Sequence, residues 1–118
     1  MKAFIKENKW LSRTSFMDFG WGNGYVVIPK GNMLHGKGYN EIHHLIPMLE
    51  VNGGLTFANS VDNLKHWPEI PNGYDDGWVI GFDTAHCWDT LENWSKNAVM
   101  LSAEKLKEQL EYFINSNS

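Results

Sequence analysis

Gly77-Trp-Val-Ile-Gly-Phe-Asp83-Thr-Ala-His86-Cys-Trp-Asp89 is the stretch on which the reading of this chain turns. Trp78 to Phe82 is an apolar run of β-branched and aromatic residues, which predicts a buried strand. The run leads straight into Asp83, His86 and Asp89, three polar groups at three-residue spacing. Strand alternation sends Trp78, Ile80 and Phe82 to one face and Val79, Gly81 and Asp83 to the other. Gly81 carries no side chain, so a ligand or another backbone has room to approach beside Asp83. If Thr84–Thr90 coils into a helical turn, Asp83, His86 and Asp89 line one side of it. One role for them is purely structural. Asp83 would cap the turn through the N–H of Ala85 or His86, and Asp89 would orient the His86 ring. The other is a ligand or metal site, since Asp and His suit Mn²⁺, Zn²⁺ or Fe²⁺ and a carboxylate beside His supports general base chemistry.

Working outward, Tyr25-Val-Val-Ile28 and Leu55-Thr-Phe-Ala58 read as two further strands. Ala3-Phe-Ile5 and the residues around Phe16–Phe19 are weaker strand candidates. Asn23-Gly24 carries a hairpin-turn signal. Tyr39 to Glu50 reads as a helix, because Ile42, Leu45, Ile46 and Leu49 fall at i, i+3, i+4 and i+7. Pro47 should kink it or end its regular part near Ile46, and Asn52-Gly53-Gly54 supplies the stop. Ser102 is placed to N-cap a last helix reaching about Asn115, with Leu106, Leu110, Phe113 and Ile114 as its apolar face. Between the strands, residues 59–76 form a long loop with a short helical turn at Val61–Trp67. The expected fold is α+β: a small, mostly antiparallel sheet with two main helices, at about 39–50 and 102–115, on one face.

Bulk composition narrows the possibilities. At 118 residues the chain reads as one globular domain, 42% hydrophobic and 20% charged. Net charge is −4, divided as +2 over residues 1–68 and −6 over residues 69–118. Arg13 is the only arginine and no Lys/Arg cluster exists, which argues against duplex nucleic acid as a partner. Cys87 is the only cysteine, so neither an intrachain disulfide nor a Cys-based zinc cluster can form. Its flanking carboxylates disfavour a thiolate, so Cys87 makes a poor nucleophile. No window approaches 18 apolar residues and the first residues lack an apolar leader core, so no membrane association is expected and the cytoplasm is the expected compartment.

Other polar groups bear on function. Gly31-Asn-Met-Leu-His-Gly36-Lys37-Gly38 nearly matches a phosphate loop, but Gly38 stands where a Ser or Thr should hold Mg²⁺. A weaker reading survives: Gly36, Gly38, Lys37 and a helix N-terminus form an anion cradle. His43 and His44 are adjacent on the expected helix, so at most one faces inward. His35 and His66 fall in loops, and Trp67, between His66 and Pro68, is placed to act as a stacking lid over a pocket.

Gly24-Tyr-Val-Val-Ile-Pro29, Gly36-Lys-Gly-Tyr39, Gly53-Gly-Leu-Thr-Phe57 and Gly81-Phe-Asp-Thr-Ala-His86 with Asp89 together resemble a family of small uncharacterised proteins of bacteriophages and prophages of Gram-positive hosts. The resemblance spans roughly Gly24 to Asp89. In that pattern a His commonly precedes the paired glycines and another follows the Gly after the first strand; here Asn52 and Asn32 stand in those places. Asn is a poor Zn²⁺ ligand and no general base near neutral pH, which weakens an enzyme reading more than a binding one. The resemblance implies an accessory protein acting in the host cytoplasm.

The leading expectation is therefore a protein that binds a small polar, nucleotide-like ligand, such as a host immune signal, without turnover and without a cofactor. Asp83, His86, Asp89 and Asn52 would supply hydrogen bonds. Lys37 with Gly36 and Gly38 would take an anionic group, and Trp67, Trp78 or Trp88 would stack. Two alternatives stand beside it: a metal-dependent hydrolase using Asp83, His86 and Asp89 with His35 or His66, and a protein-binding inhibitor of a host factor. A homo-oligomer is compatible with the apolar stripe on the last helix.

Overall fold

The computed structural model describes residues 1–9, 19–86 and 88–117. Arg13, Cys87 and most of the expected strand around Phe16–Phe19 lie outside the described residues. Four strands form one antiparallel sheet: β1 (Lys2–Glu7), β2 (Gly22–Ile28), β3 (Phe57–Ser60) and β4 (Trp78–Phe82), in the spatial order β1-β2-β4-β3. Among the described residues two helices accompany them, α1 (Tyr39–Leu45) and α2 (Lys96–Ser116), with a 3₁₀ turn at Val61–Leu64. The α+β expectation therefore holds, and among the described residues no helix is long and apolar enough to cross a membrane.

The central strands β2 and β4 are buried on both faces, which is why both read as nearly continuous apolar runs. Val26, Ile28, Ile80 and Phe82 point to one face, where Ala103, Leu106 and Leu110 of α2 pack on them with Leu34, Ile42 and Leu55. Phe4, Tyr25, Val27 and Val79 point to the other. Among the described residues, no α-helix lies over that face. Val61, Leu64, Trp67, Ile70 and Tyr74 cover it, all from the segment that follows β3. The long loop is thus first a lid on the sheet. Trp67 stacks on Phe57 with ring centroids 5.2 Å apart and meets the Tyr25 ring edge-on at 5.1 Å. Lys6 lies over the same indole, 5.4 Å from its centroid.

Several boundaries differ from expectation, each for a local reason. The first helix ends at Leu45, not Glu50. Ile46 precedes Pro47, and the proline ring pushes it out of helical geometry to φ −124°, ψ 76°. Asn52-Gly53-Gly54 consequently ends no helix; it closes a turn in which the Gly54 N–H donates to the Val51 carbonyl at 3.0 Å. The third strand begins at Phe57, not Leu55, because the Leu55 N–H is taken by His43 Nε2 at 2.8 Å and cannot join a ladder. His43 is thereby the inward member of the His43/His44 pair. Asn23-Gly24 makes no hairpin and lies inside β2, opposite Lys6 and Ile5. The last helix begins at Lys96, two turns before the expected start at Ser102. Ser95 is its N-cap, accepting from the Ala98 N–H at 3.3 Å, and Val99 and Ala103 extend the buried stripe of Leu106 and Leu110 toward the N-terminus.

Candidate functional site

At the C-terminal end of β4 the chain turns sharply. Thr84 is fully buried, and its hydroxyl donates to the Gly22 carbonyl at 2.7 Å, which pins the exit of β4 to the start of β2. Among the described residues of 84–90 there is no helix, only bends and a single turn closed by the Asp89 N–H donating to the His86 carbonyl at 2.9 Å. The polar groups are nevertheless brought together. Asp83 Oδ1 accepts from the Ala85 N–H at 3.0 Å. Asp89 is fully buried, and its Oδ2 accepts from the His86 backbone N–H at 3.0 Å and from His86 Nδ1–H at 2.6 Å. Its Oδ1 accepts from Asn52 Nδ2 at 3.0 Å. Three donors thus surround a carboxylate that would be costly to bury unpaired. Both structural roles proposed from sequence, the Asp83 cap and the Asp89 clamp on His86, are present.

The other side of the imidazole is closed as well. His86 Nε2 is 3.6 Å from Asp83 Oδ1, and the backbone of Gly53 lies against the same ring edge, where a Cβ would collide with it. Gly53 has φ +69°, so only glycine satisfies both the turn and the close approach. Trp88 stacks flat on the imidazole, centroids 4.7 Å apart and planes 4° from parallel. Its indole Nε1 is directed at Asn52 Oδ1 from 3.5 Å. Asn52, Asp83, His86, Trp88 and Asp89 therefore form one connected block.

Ligand atoms of Asp83, His86 and Asp89 lie within 4.8 Å of one another, the only such trio among the described residues. Its chemistry is unlike an ordinary metal centre. Asp89 is saturated by Asn52 and His86, so it sits where an orienting carboxylate sits, behind the histidine. Asp83 and His86 Nε2 are left as two donors facing Gly53, fewer than the three or four protein ligands of a zinc site.

The remaining expected site residues are elsewhere. Trp78 begins β4, so it stands a strand length, roughly 16 Å, from Asp83. Its indole N–H donates to the Lys37 carbonyl at 2.8 Å, which fixes Gly36, Lys37 and Gly38 at that far end. His35 joins them, with Nε2 2.9 Å from the Asp76 carbonyl. The anion cradle expected there is filled from within. The Gly38 N–H donates to Glu41 Oε1 at 3.0 Å, so a carboxylate of α1 already occupies the helix N-terminus. Trp67 is built into the aromatic cover described above, and His66 beside it is exposed. The space that Gly81 leaves is filled by the ring of Tyr25 and the backbone of Gly24.

Sequence reasoning passed over four residues that shape this end of the sheet: Asn8, Asn23, Tyr25 and Gly53. The first three follow from alternation. Asn23 and Tyr25 share the face of Asp83, as the pairing of Tyr25 with Gly81 requires. No family model, curated protein or solved structure matches this chain.

Proposed function

We propose that the protein binds a small polar, nucleotide-like ligand without turnover, as a bacteriophage or prophage accessory protein in the host cytoplasm. The observation that carries the binding reading is Trp88. Its side chain is 60% exposed, yet it is stacked flat on His86 and tethered through Asn52. An exposed indole held rigid on one face offers its other face as a stacking platform at little entropic cost. Absence of turnover is supported by the commitments of His86, whose Nδ1 is held by Asp89 and whose Nε2 is covered by Gly53 and Asp83. The phage setting is carried over from the sequence resemblance of the Gly24–Asp89 region alone.

Titration calorimetry with cyclic dinucleotides and cyclic ADP-ribose isomers tests the reading. Saturable heat with at least one, reduced at least tenfold in affinity by Trp88→Ala, is the expected result. A folded sample that gives no heat with any of them overturns it. Stoichiometric bound metal, with a turnover lost in Asp83→Ala, would put the hydrolase alternative in its place.

A further inference from the structure

On the face of the sheet away from α2, the aromatic cover ends at Tyr25, Phe57 and Trp67. The same face continues past them into polar residues. Asn8, Asn23, Tyr25 and Asp83 border a cleft of about 290 Å³, with Phe57 as its apolar wall and Thr56, Phe82 and Ala85 completing its rim. Asn8 is only 3% exposed, and its side-chain Nδ2 has no hydrogen-bond partner among the described residues. Asn23 Oδ1 is likewise buried without a partner. A buried amide atom left unpaired forfeits its hydration without return, so two of them bordering one cleft call for an explanation.

The available hydrogen-bonding groups define what would satisfy them. Asn23 Nδ2 donates to the Tyr25 hydroxyl oxygen at 3.2 Å, which leaves the phenol proton to donate onward. Burial, with smaller additions from the charges of Asp83 and Glu69 and against the Asn23 hydrogen bond, pushes the Tyr25 phenol up to about 12, so it keeps that proton. Among the described residues both contacts of Asp83 run through Oδ1, and the carboxylate borders the cleft as an acceptor. The cleft thus offers two donors, Asn8 Nδ2 and the Tyr25 hydroxyl, beside two acceptors, Asn23 Oδ1 and Asp83.

We propose that this cleft binds the lactam or ureide edge of a small planar heterocycle, the adjacent N–H and C=O that guanine and uracil present. Its C=O would accept from Asn8 and Tyr25, and its N–H would donate to Asp83 and Asn23. Phosphate is excluded by the Asp83 carboxylate, and a bare cation by the two donors. The volume, at the small end of ligand pockets, suits a single base. The proposal names the ligand class within the binding function above, but it rests on Asn8 and Asn23 and not on the Trp88 platform.

Guanosine and uridine, with adenosine as the control that lacks a lactam, are the probes, titrated to millimolar concentration by ligand-observed NMR. Saturable binding of guanosine or uridine, at least tenfold tighter than adenosine, is expected. Asn8→Ala should abolish it in a variant that still melts cooperatively, because the buried Nδ2 makes no hydrogen bond to lose. Asn23→Ala and Tyr25→Phe should each weaken binding several-fold. No binding by either lactam nucleoside, or equal binding by adenosine or by Asn8→Ala, overturns the proposal. Trp88→Ala separates the two readings: nucleoside binding kept in that variant supports the cleft even if the stacking platform fails, and the reverse pattern sinks the cleft alone.

Discussion

At the scale of single residues, the block around Asp89 makes the sharpest claims. Asp89→Ala leaves the His86 N–H, the imidazole and the Asn52 amide without their shared acceptor. A cost of about 2–4 kcal/mol in urea unfolding is expected. Gly53→Ala meets two penalties at once, a left-handed φ and a collision with His86. It should lose about 1–3 kcal/mol and disturb the near-parallel stacking of Trp88, read as a shift in tryptophan emission. Tyr25 gives a pH prediction. Its phenol ionises near 10.0 unfolded and near 12 folded, mainly because it is buried. Between those values the native state holds more protons than the unfolded one, so stability falls as pH rises. The loss should be roughly 2–3 kcal/mol across that window and should be absent in Tyr25→Phe. The polar trio itself was visible in the sequence, and so were its two structural contacts, because short-range spacing determines which backbone N–H an Asp can reach. Gly53 was not visible in this role, since its contact with His86 joins positions far apart in the chain.

At the scale of elements, caps and prolines explain most boundaries. Ser95→Ala removes the N-cap of α2 and should cost about 1 kcal/mol, whereas Ser102→Ala, in the helix interior, should change stability by a few tenths at most. Comparing the two melting curves checks the revised helix start. The strands of the sheet centre were legible because burial on both faces leaves an unbroken apolar run. The split of the expected site was not. Trp78 and Asp83 stand at opposite ends of one strand, and nothing local reveals which distant residues each end meets, Lys37 at one and the start of β2 at the other. The anion cradle meets a specific competitor: the glycines precede the helix start, but Glu41 in the first turn of α1 takes the Gly38 N–H.

At the scale of the molecule, the two faces of the sheet are covered by different means, a 21-residue helix on one and a loop rich in aromatic residues on the other. Because β2 and β4 contribute to both cores, the covers should not melt separately. Leu110→Ala beneath α2 and Trp67→Ala in the loop should each cost about 2–5 kcal/mol. Far-UV circular dichroism and tryptophan fluorescence should report one coincident transition in both variants. Two resolved transitions would show that the loop is a separable cover and not half of a single core.

The strand order β1-β2-β4-β3 leaves β1 and β3 at the margins, each with one row of backbone amides and carbonyls not paired within the sheet. An exposed margin is a template on which further chains can add and grow into aggregates. The two margins are poor templates. The strand β3 is four residues long, and Asn63 Nδ2 bonds Asn59 Oδ1 beside it at 2.9 Å as the chain coils away. The strand β1 carries Lys2, Lys6 and Glu7 along its length. The most aggregation-prone segments of the chain, Tyr25–Ile28 and Trp78–Phe82, are therefore those that the topology shields on either side with short or charged strands.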